Sequence, residues 1–72
     1  MWILDQTKKK VVNIKNYDSI VNLQEIMAIR SNGNSIVNVN LGVYDSKRAA
    51  QVFEEILTSL AKGDQLFRMP EK

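Results

Sequence analysis

DSKRAAQVFEEILTSLAKG, running from Asp45 to Gly63, sets the architecture of this chain. Its apolar residues recur at the three- and four-residue spacing of a single helical face; they are Ala49, Val52, Phe53, Ile56, Leu57 and Leu60. Asp45 or Ser46 can accept hydrogen bonds from the first free N–H groups, and Gly63 suits the left-handed position beyond the last turn. The stretch therefore predicts an amphipathic helix over residues 46–62.

The segment before the helix has the two-residue period of a strand. Within Ser35–Tyr44 one face carries Val37, Val39, Leu41 and Val43, and the other carries Asn38, Asn40, Gly42 and Tyr44. Such alternation is typical of a strand with one buried and one solvated face. We expect the valine-rich row to receive the helix, with Tyr44 turned away from it.

Asn32-Gly33 ahead of that strand predicts a hairpin, because a type I′ turn needs two residues that tolerate positive φ. Two registers are open. A two-residue loop puts Ile26 and Ala28 on the face of the valine-rich row, whereas a three-residue loop ending at Gly33 puts Met27 and Ile29 there. In either register, apolar side chains remain on the second face of the strand that precedes the turn.

Four shorter runs with strand character precede this hairpin or form its first arm. They are Trp2–Leu4, Lys10–Lys15, Ile20–Leu23 and Glu25–Ser31. The sequence thus predicts one α+β domain over residues 1–72. Its strands lie within residues 2–44 as an antiparallel meander of four to five strands. One C-terminal helix packs on the sheet, and residues 64–72 form a tail.

Composition argues against an enzyme. The 72 residues include no cysteine and no histidine, so Ser–His and Cys–His catalysis and the commonest metal ligands are excluded. Glu54 and Glu55 are adjacent on the predicted helix and point in different directions, opposite its apolar stripe. The glycines are isolated and form no phosphate-binding loop. We expect no catalytic residues, no cofactor and no metal.

The beginning of the chain bears on its location. MWILDQTKKK places three apolar residues before the charged ones, which is the reverse of a secretory signal. No stretch approaches the roughly 18 apolar residues of a membrane span. These features predict a cytoplasmic protein without membrane contact.

Basic residues suggest one candidate site. Lys8, Lys9 and Lys10 lie in or beside the first hairpin turn, and Lys47 and Arg48 occupy the first helical turn, where the helix dipole favours negative charge. Together they could contact phosphates of a nucleic acid or another anion. The alternative is that the lysines keep a strand edge soluble. The net charge is only +2.

Apolar residues suggest another candidate site, an interface. One helix covers only one face of a small sheet, and a chain of this length without disulfides gains from self-association. The sequence therefore predicts a homodimer, formed face to face through Met27, Ile29 and Ile36 or edge to edge through Trp2–Leu4. The candidate interface residues are Trp2, Leu4, Met27, Ile29, Ile36 and Phe67. The alternative is a monomer in which Leu66, Phe67 and Met69 fold back over the free face.

Several short patterns occur in a familiar order. They are W-I-L-x-Q from Trp2, V-N-I-x-N from Val12, N-G at Asn32, L-G-V-Y-D-S from Leu41, A-x-x-V-F-E-E-I from Ala49 and F-x-M-P from Phe67. Together they resemble short uncharacterised open reading frames of low-GC Gram-positive bacteria and their prophages. The resemblance implies a small bacterial or phage-linked protein and assigns no site residues. The hypothesis from the sequence is a non-enzymatic protein-interaction module that binds itself or a host protein, with a nucleic-acid binder as the alternative.

Overall fold

The computed structural model describes residues 1–23 and 25–72, and the protein has an α+β fold. In chain order the described elements are β1 (Trp2–Leu4), β2 (Val11–Asn13), a 3₁₀ turn (Ile14–Asn16), β3 (Ser19–Leu23), β4 (Glu25–Asn32), β5 (Ser35–Val43), α1 (Ser46–Lys62) and β6 (Leu66–Arg68). The strands form two three-stranded sheets, ordered β2-β1-β6 and β3-β4-β5.

The helix confirms the sequence prediction at both ends. The Asp45 carboxylate accepts a hydrogen bond from the Arg48 N–H at 2.9 Å, which caps the first turn. Gly63 lies at a φ of +76°, and its N–H donates to the Leu60 carbonyl at the last turn. A side chain at this position would strain the left-handed backbone, so Gly63 ends the helix for the predicted reason.

The prediction of a single meander of four to five strands followed by a C-terminal helix is wrong. Only β3, β4 and β5 form an antiparallel meander. The predicted tail contains β6, which returns after the helix and pairs with β1 in parallel, Trp2 opposite Leu66 and Leu4 opposite Arg68. A parallel pair needs a long connection, and the chain between β1 and β6, α1 included, supplies it. The helix therefore lies between β5 and β6 in the sequence and is not the last element of the fold.

The first hairpin forms as predicted but is shorter. β1 and β2 pair antiparallel, with Ile3 opposite Val12. The strand predicted over Lys10–Lys15 ends at Asn13, because the Asn13 side chain accepts a hydrogen bond from the Lys15 N–H at 3.1 Å and starts a 3₁₀ turn. Local side-chain bonding of this kind competes with strand pairing.

In the second hairpin, β4 turns the predicted face to the same side as Val37 and Val39 of β5, but the turn differs from the prediction. Asn32 pairs with Ser35, so the loop is Gly33-Asn34, one residue later than Asn32-Gly33. Gly33 has a φ of +63°, and Asn34 is not among the residues with positive φ, which fits a II′ turn rather than I′. Ala28 lies opposite Val39, as the two-residue loop predicts for the shared face.

A β-bulge in β5 breaks the predicted alternation. Ile26 pairs with Gly42 and Met27 with Asn40, so Leu41 is an extra residue in β5. Beyond it the faces exchange: Tyr44 is buried and Val43 is exposed, the opposite of the prediction. The Tyr44 ring covers Gly42, where a Cβ atom would lie 2.8 Å from Tyr44 Cε2. The Tyr44 hydroxyl donates to the Pro70 carbonyl at 2.5 Å.

The core lies between the helix and the inner face of the β3-β4-β5 sheet, where Ile26 and Ala28 are buried. The buried apolar side chains are Ile3, Val12, Ile26, Ala28, Leu41, Tyr44, Ala49, Val52, Ile56 and Met69. The helix lies against β3 and β4 rather than against the whole valine-rich row of β5. The bulge accounts for Val43, which turns outward after it, whereas Val37 stays on the inner face and is 38% exposed.

Candidate interaction surface

The outer face of the β3-β4-β5 sheet is rich in apolar side chains. The pairing register places Val21 beside Met27, Ser19 beside Ile29, and Ile36 beside Ser31 on this face. Its apolar members, called the outer face residues below, are Val21, Leu23, Met27, Ile29, Ile36 and Val43. They come from all three strands, because side chains alternate across a sheet and the helix occupies only the other side.

Solvent reaches this surface. Leu23 is 68% exposed, Ile36 is 69% exposed and Val43 is 53% exposed, while Met27 and Ile29 are half-buried. The tail does not provide the alternative cover, since Met69 belongs to the core on the inner side and β6 pairs with β1. Met27, Ile29 and Ile36 are candidate interface residues from the sequence, and the structure places all three on this one surface.

The polar groups on the outer face are mostly uncharged. Asn38 pairs with Ile29 and Asn40 with Met27, so both amides stand among the apolar side chains. Glu25 lies on the same face, and the Asn40 side-chain amide donates to its carboxylate at 3.5 Å. A surface of this composition suits a protein partner better than a polyanion.

The edge of β5 is closed along one part only. Gln6 follows β1, and its backbone N–H donates to the Leu41 carbonyl at 2.8 Å. Its side chain accepts from the Val43 N–H at 2.8 Å and donates to the Val43 carbonyl at 3.2 Å. Gln6 thus takes the place of a neighbouring strand at the bulged end of β5. No such cap is found at Ile36–Asn40 among the described residues.

The other candidate interface residues are placed differently. Trp2–Leu4 is the central strand of its sheet, with β2 on one side and β6 on the other, so edge-to-edge pairing through it is ruled out. Trp2 keeps an exposed side chain, whereas Leu4 and Phe67 are half-buried. Phe67 packs against the core. Sequence reasoning placed β1 at an edge because the three residues of β6 give no periodic signal.

The basic residues are not assembled into one free patch. Lys8 forms an ion pair with Glu71, which lowers the pKa of the Glu71 carboxyl through the Lys8 hydrogen bond and charge. Arg48 is half-buried, donates to the Glu55 carboxylate at 3.1 Å and to the Lys72 carbonyl at 3.0 Å. Both side chains therefore contact the end of the tail, and carboxylates partly offset their charges.

Asp5 organises the turn that carries the three lysines, a role that the sequence reading missed. Its buried carboxylate accepts from the Thr7 hydroxyl at 2.9 Å and from the Lys9 N–H at 3.1 Å, with the Lys10 N–H at 3.4 Å. Burial raises the pKa of the Asp5 carboxyl, but these hydrogen bonds outweigh it and the pKa lies below its ordinary value of 3.8.

Asp5→Asn is expected to lower the free energy of unfolding by about 1–3 kcal/mol at neutral pH, because the negative charge and one of the two acceptor oxygens are lost from a buried turn. A depressed folded pKa stabilises the fold above pH 3.8 and loses that contribution as pH falls below it. Urea titrations between pH 3 and 7 should therefore show the wild-type advantage shrinking toward acid. Glu54→Gln, which removes an exposed helical carboxylate, serves as the control and should leave the pH profile unchanged.

A second apolar feature lies beside the helix. An open cleft of about 260 Å3 lies between one side of α1 and the chain that leads into β3, and it is lined by Ile14, Tyr17, Asp18, Ser19, Ile20, Phe53, Ile56, Leu57 and Leu60. Leu57 and Leu60 belong to the predicted helix stripe but are exposed. The small sheet is too narrow to cover the whole stripe, which explains why its C-terminal part remains in solvent.

Over residues 1–23 and 25–72, no group of three or more Asp or Glu side chains is placed to hold a metal ion. In the same part of the chain, no helix has the length and apolar character needed to cross a bilayer. Comparison of the chain with models of protein families, with curated proteins and with solved structures gave no match.

Proposed function

We propose that the protein is a non-enzymatic protein-interaction module that acts in the cytoplasm, as an accessory factor of a bacterium or its prophage. The observation that supports this most is the outer face, on which six apolar side chains from three strands meet solvent or are only half-buried. Contiguous apolar surfaces of this kind on small proteins mark binding sites more often than accidents of composition.

The energetics favour a partner for this face. Full burial of a large aliphatic side chain contributes about 1.5–3 kcal/mol, and Leu23 and Ile36 keep most of their surface in water. Association must first offset several kcal/mol of lost translational and rotational freedom. Removing the outer face residues from water together supplies a contribution large enough to do so, whereas one exposed leucine does not.

A double variant, Leu23→Ser with Ile29→Ser, tests the proposal. The matched control is Val11→Ser with Leu66→Ser, two exposed apolar residues outside the β3-β4-β5 sheet. Sedimentation from micromolar concentration upward measures self-association, and affinity capture from nuclease-treated bacterial lysate measures other partners. We expect the first variant to lose any association that buries the outer face, which the wild type and the control retain. Equal behaviour of all three proteins in both measurements would count against the proposal.

Nucleic-acid binding is the second candidate. It is supported by Lys9, Lys10 and Lys47, whose side chains are exposed and form no ion pair within the described residues. A mobility shift with generic DNA and RNA separates the two candidates, because phosphate binding weakens steeply as salt rises. A mobility shift that disappears at high salt, and that is also absent in the double variant Lys9→Ala with Lys10→Ala, would favour nucleic acid over a protein partner.

A further inference from the structure

The hydrogen-bonding groups of β5 alternate between its neighbour and its free edge. The two-residue loop makes Asn32 and Ser35 the first hydrogen-bonded pair of the hairpin. In an antiparallel ladder every second residue then turns its N–H and C=O toward the partner strand. Val37 and Val39 therefore bond toward β4, whereas the backbone groups of Ile36, Asn38 and Asn40 point out of the sheet.

The segment Ile36–Asn40, called the open run of β5 below, has definite limits. At one end it stops at the bulge, beyond which Gln6 already bonds to Leu41 and Val43. At the other end it stops at the Gly33-Asn34 loop. Between these limits the described residues offer no backbone partner for its edge groups, so a strand of about five residues could be added there without moving any other part of the fold.

We propose that β5 pairs antiparallel with β5 of a second copy about a two-fold axis at Asn38. This rests on the proposed function as an interaction module, and it names a second copy as a partner that is held through the β5 edge and leaves the outer face residues open to another protein. Asn38 then lies opposite its counterpart, and each Ile36 lies opposite Asn40 of the other copy. All three residues present N–H and C=O toward the edge, so the pairing satisfies them reciprocally, as a two-fold contact requires.

The side chains of this run are compatible with such pairing. The sequence Ile36–Asn40 is IVNVN, with no charge and no proline. Edge strands that must remain unpaired carry lysine, proline or a bulge, and here the bulge follows the run instead of interrupting it. Cross-strand contacts would be Val37 with Val39 on the inner face and isoleucine with asparagine on the outer face, without like charges.

Pairing also joins the two outer faces. The β3-β4-β5 sheets of both copies would form one six-stranded sheet, in which the two outer faces meet at a seam of Ile36, Asn38 and Asn40 side chains. Ser35 of each copy would reach the position opposite Leu41, where Gln6 ends the open run. Gln6 thereby blocks registers that slide farther toward the bulge, and the two-fold contact is closed because each copy uses the same β5 edge.

Opposite charges at the two-fold axis provide the test. Asn38→Lys and Asn38→Asp each place like charges opposite one another, so each variant alone should remain at the monomer mass of 8.2 kDa in light scattering. The wild type should approach twice that mass as concentration rises. An equimolar mixture of the two variants should restore association, because lysine then faces aspartate. Asn16→Lys and Asn16→Asp, at an exposed asparagine in the 3₁₀ turn outside the β3-β4-β5 sheet, are the matched controls and should associate like the wild type.

Hydrogen exchange on the wild type gives a readout that needs no variant. The amides of Ile36, Asn38 and Asn40 should gain protection as concentration rises, whereas the Val37 and Val39 amides, already bonded to β4, should change little. A monomer at every concentration overturns the β5 pairing but leaves the proposed function standing if Leu23→Ser with Ile29→Ser loses a different protein partner. A dimer that persists in both Asn38 variants, or a mixture that fails to associate, also overturns it.

Discussion

Ile56→Asp is expected to unfold the protein. Ile56 is 1% exposed and lies in the core beside Val52 on the buried side of α1. The substitution removes about 1.5–3 kcal/mol of apolar burial and forces a carboxylate without a partner into the core, at a further cost of several kcal/mol. A domain of this length has a total stability of only about 5 kcal/mol, so the folded state is not expected to persist.

Leu57→Asp is the matched control for that variant. Leu57 follows directly on the same helix, belongs to the same apolar stripe in the sequence and is 44% exposed. Its aspartate can remain in water, so we expect a folded protein with a modestly lower melting temperature. Circular dichroism on heating measures both variants. If Ile56→Asp melted at the wild-type temperature, the buried side of the helix would be assigned wrongly.

Deleting Leu66–Lys72 is expected to have an effect of similar size. The deletion removes β6, which pairs with β1 along its whole length, and the buried side chain of Met69. It also leaves the Tyr44 hydroxyl without the Pro70 carbonyl. Truncating a buried methionine alone costs about 2–5 kcal/mol, so losing the strand as well should leave the chain largely unfolded by circular dichroism.

A shorter deletion separates the strand from the end of the chain. Removing only Glu71 and Lys72 abolishes the exposed ion pair with Lys8 and two hydrogen bonds, and exposed pairs contribute at most about 1 kcal/mol. This variant should fold. A stable, folded protein lacking all of Leu66–Lys72 would show that β6 is dispensable.

The helix was predictable because its signals are local. Asp45, the apolar stripe and Gly63 each act within a few residues of where they stand, and the helix begins and ends where they indicate. The same holds for the two hairpins, whose strands are adjacent in sequence. The apolar outer face was also predictable, since Met27 and Ile29 alternate with Ile26 and Ala28 and one helix covers one face.

The parts that were missed depend on distant residues. β6 becomes a strand because β1 lies beside it, and three residues carry no period of their own. The bulge at Leu41 inverts the faces of Val43 and Tyr44, and it occurs where Gln6, far away in sequence, bonds to the strand edge. Both features need the tertiary arrangement and leave no pattern within one segment. Asp5 is an exception, because its partners Thr7, Lys9 and Lys10 lie within five residues of it.

The parallel contact between β1 and β6 has a consequence for how the chain reaches its native state. Trp2 and Leu66 must meet across nearly the entire 72-residue sequence, and contacts between such remote residues slow folding because the intervening chain must be ordered first. During synthesis the first strand leaves the ribosome long before its partner exists. Until β6 emerges, one side of β1 stays without its neighbour, and the nascent chain is exposed to aggregation and to chaperones during that interval.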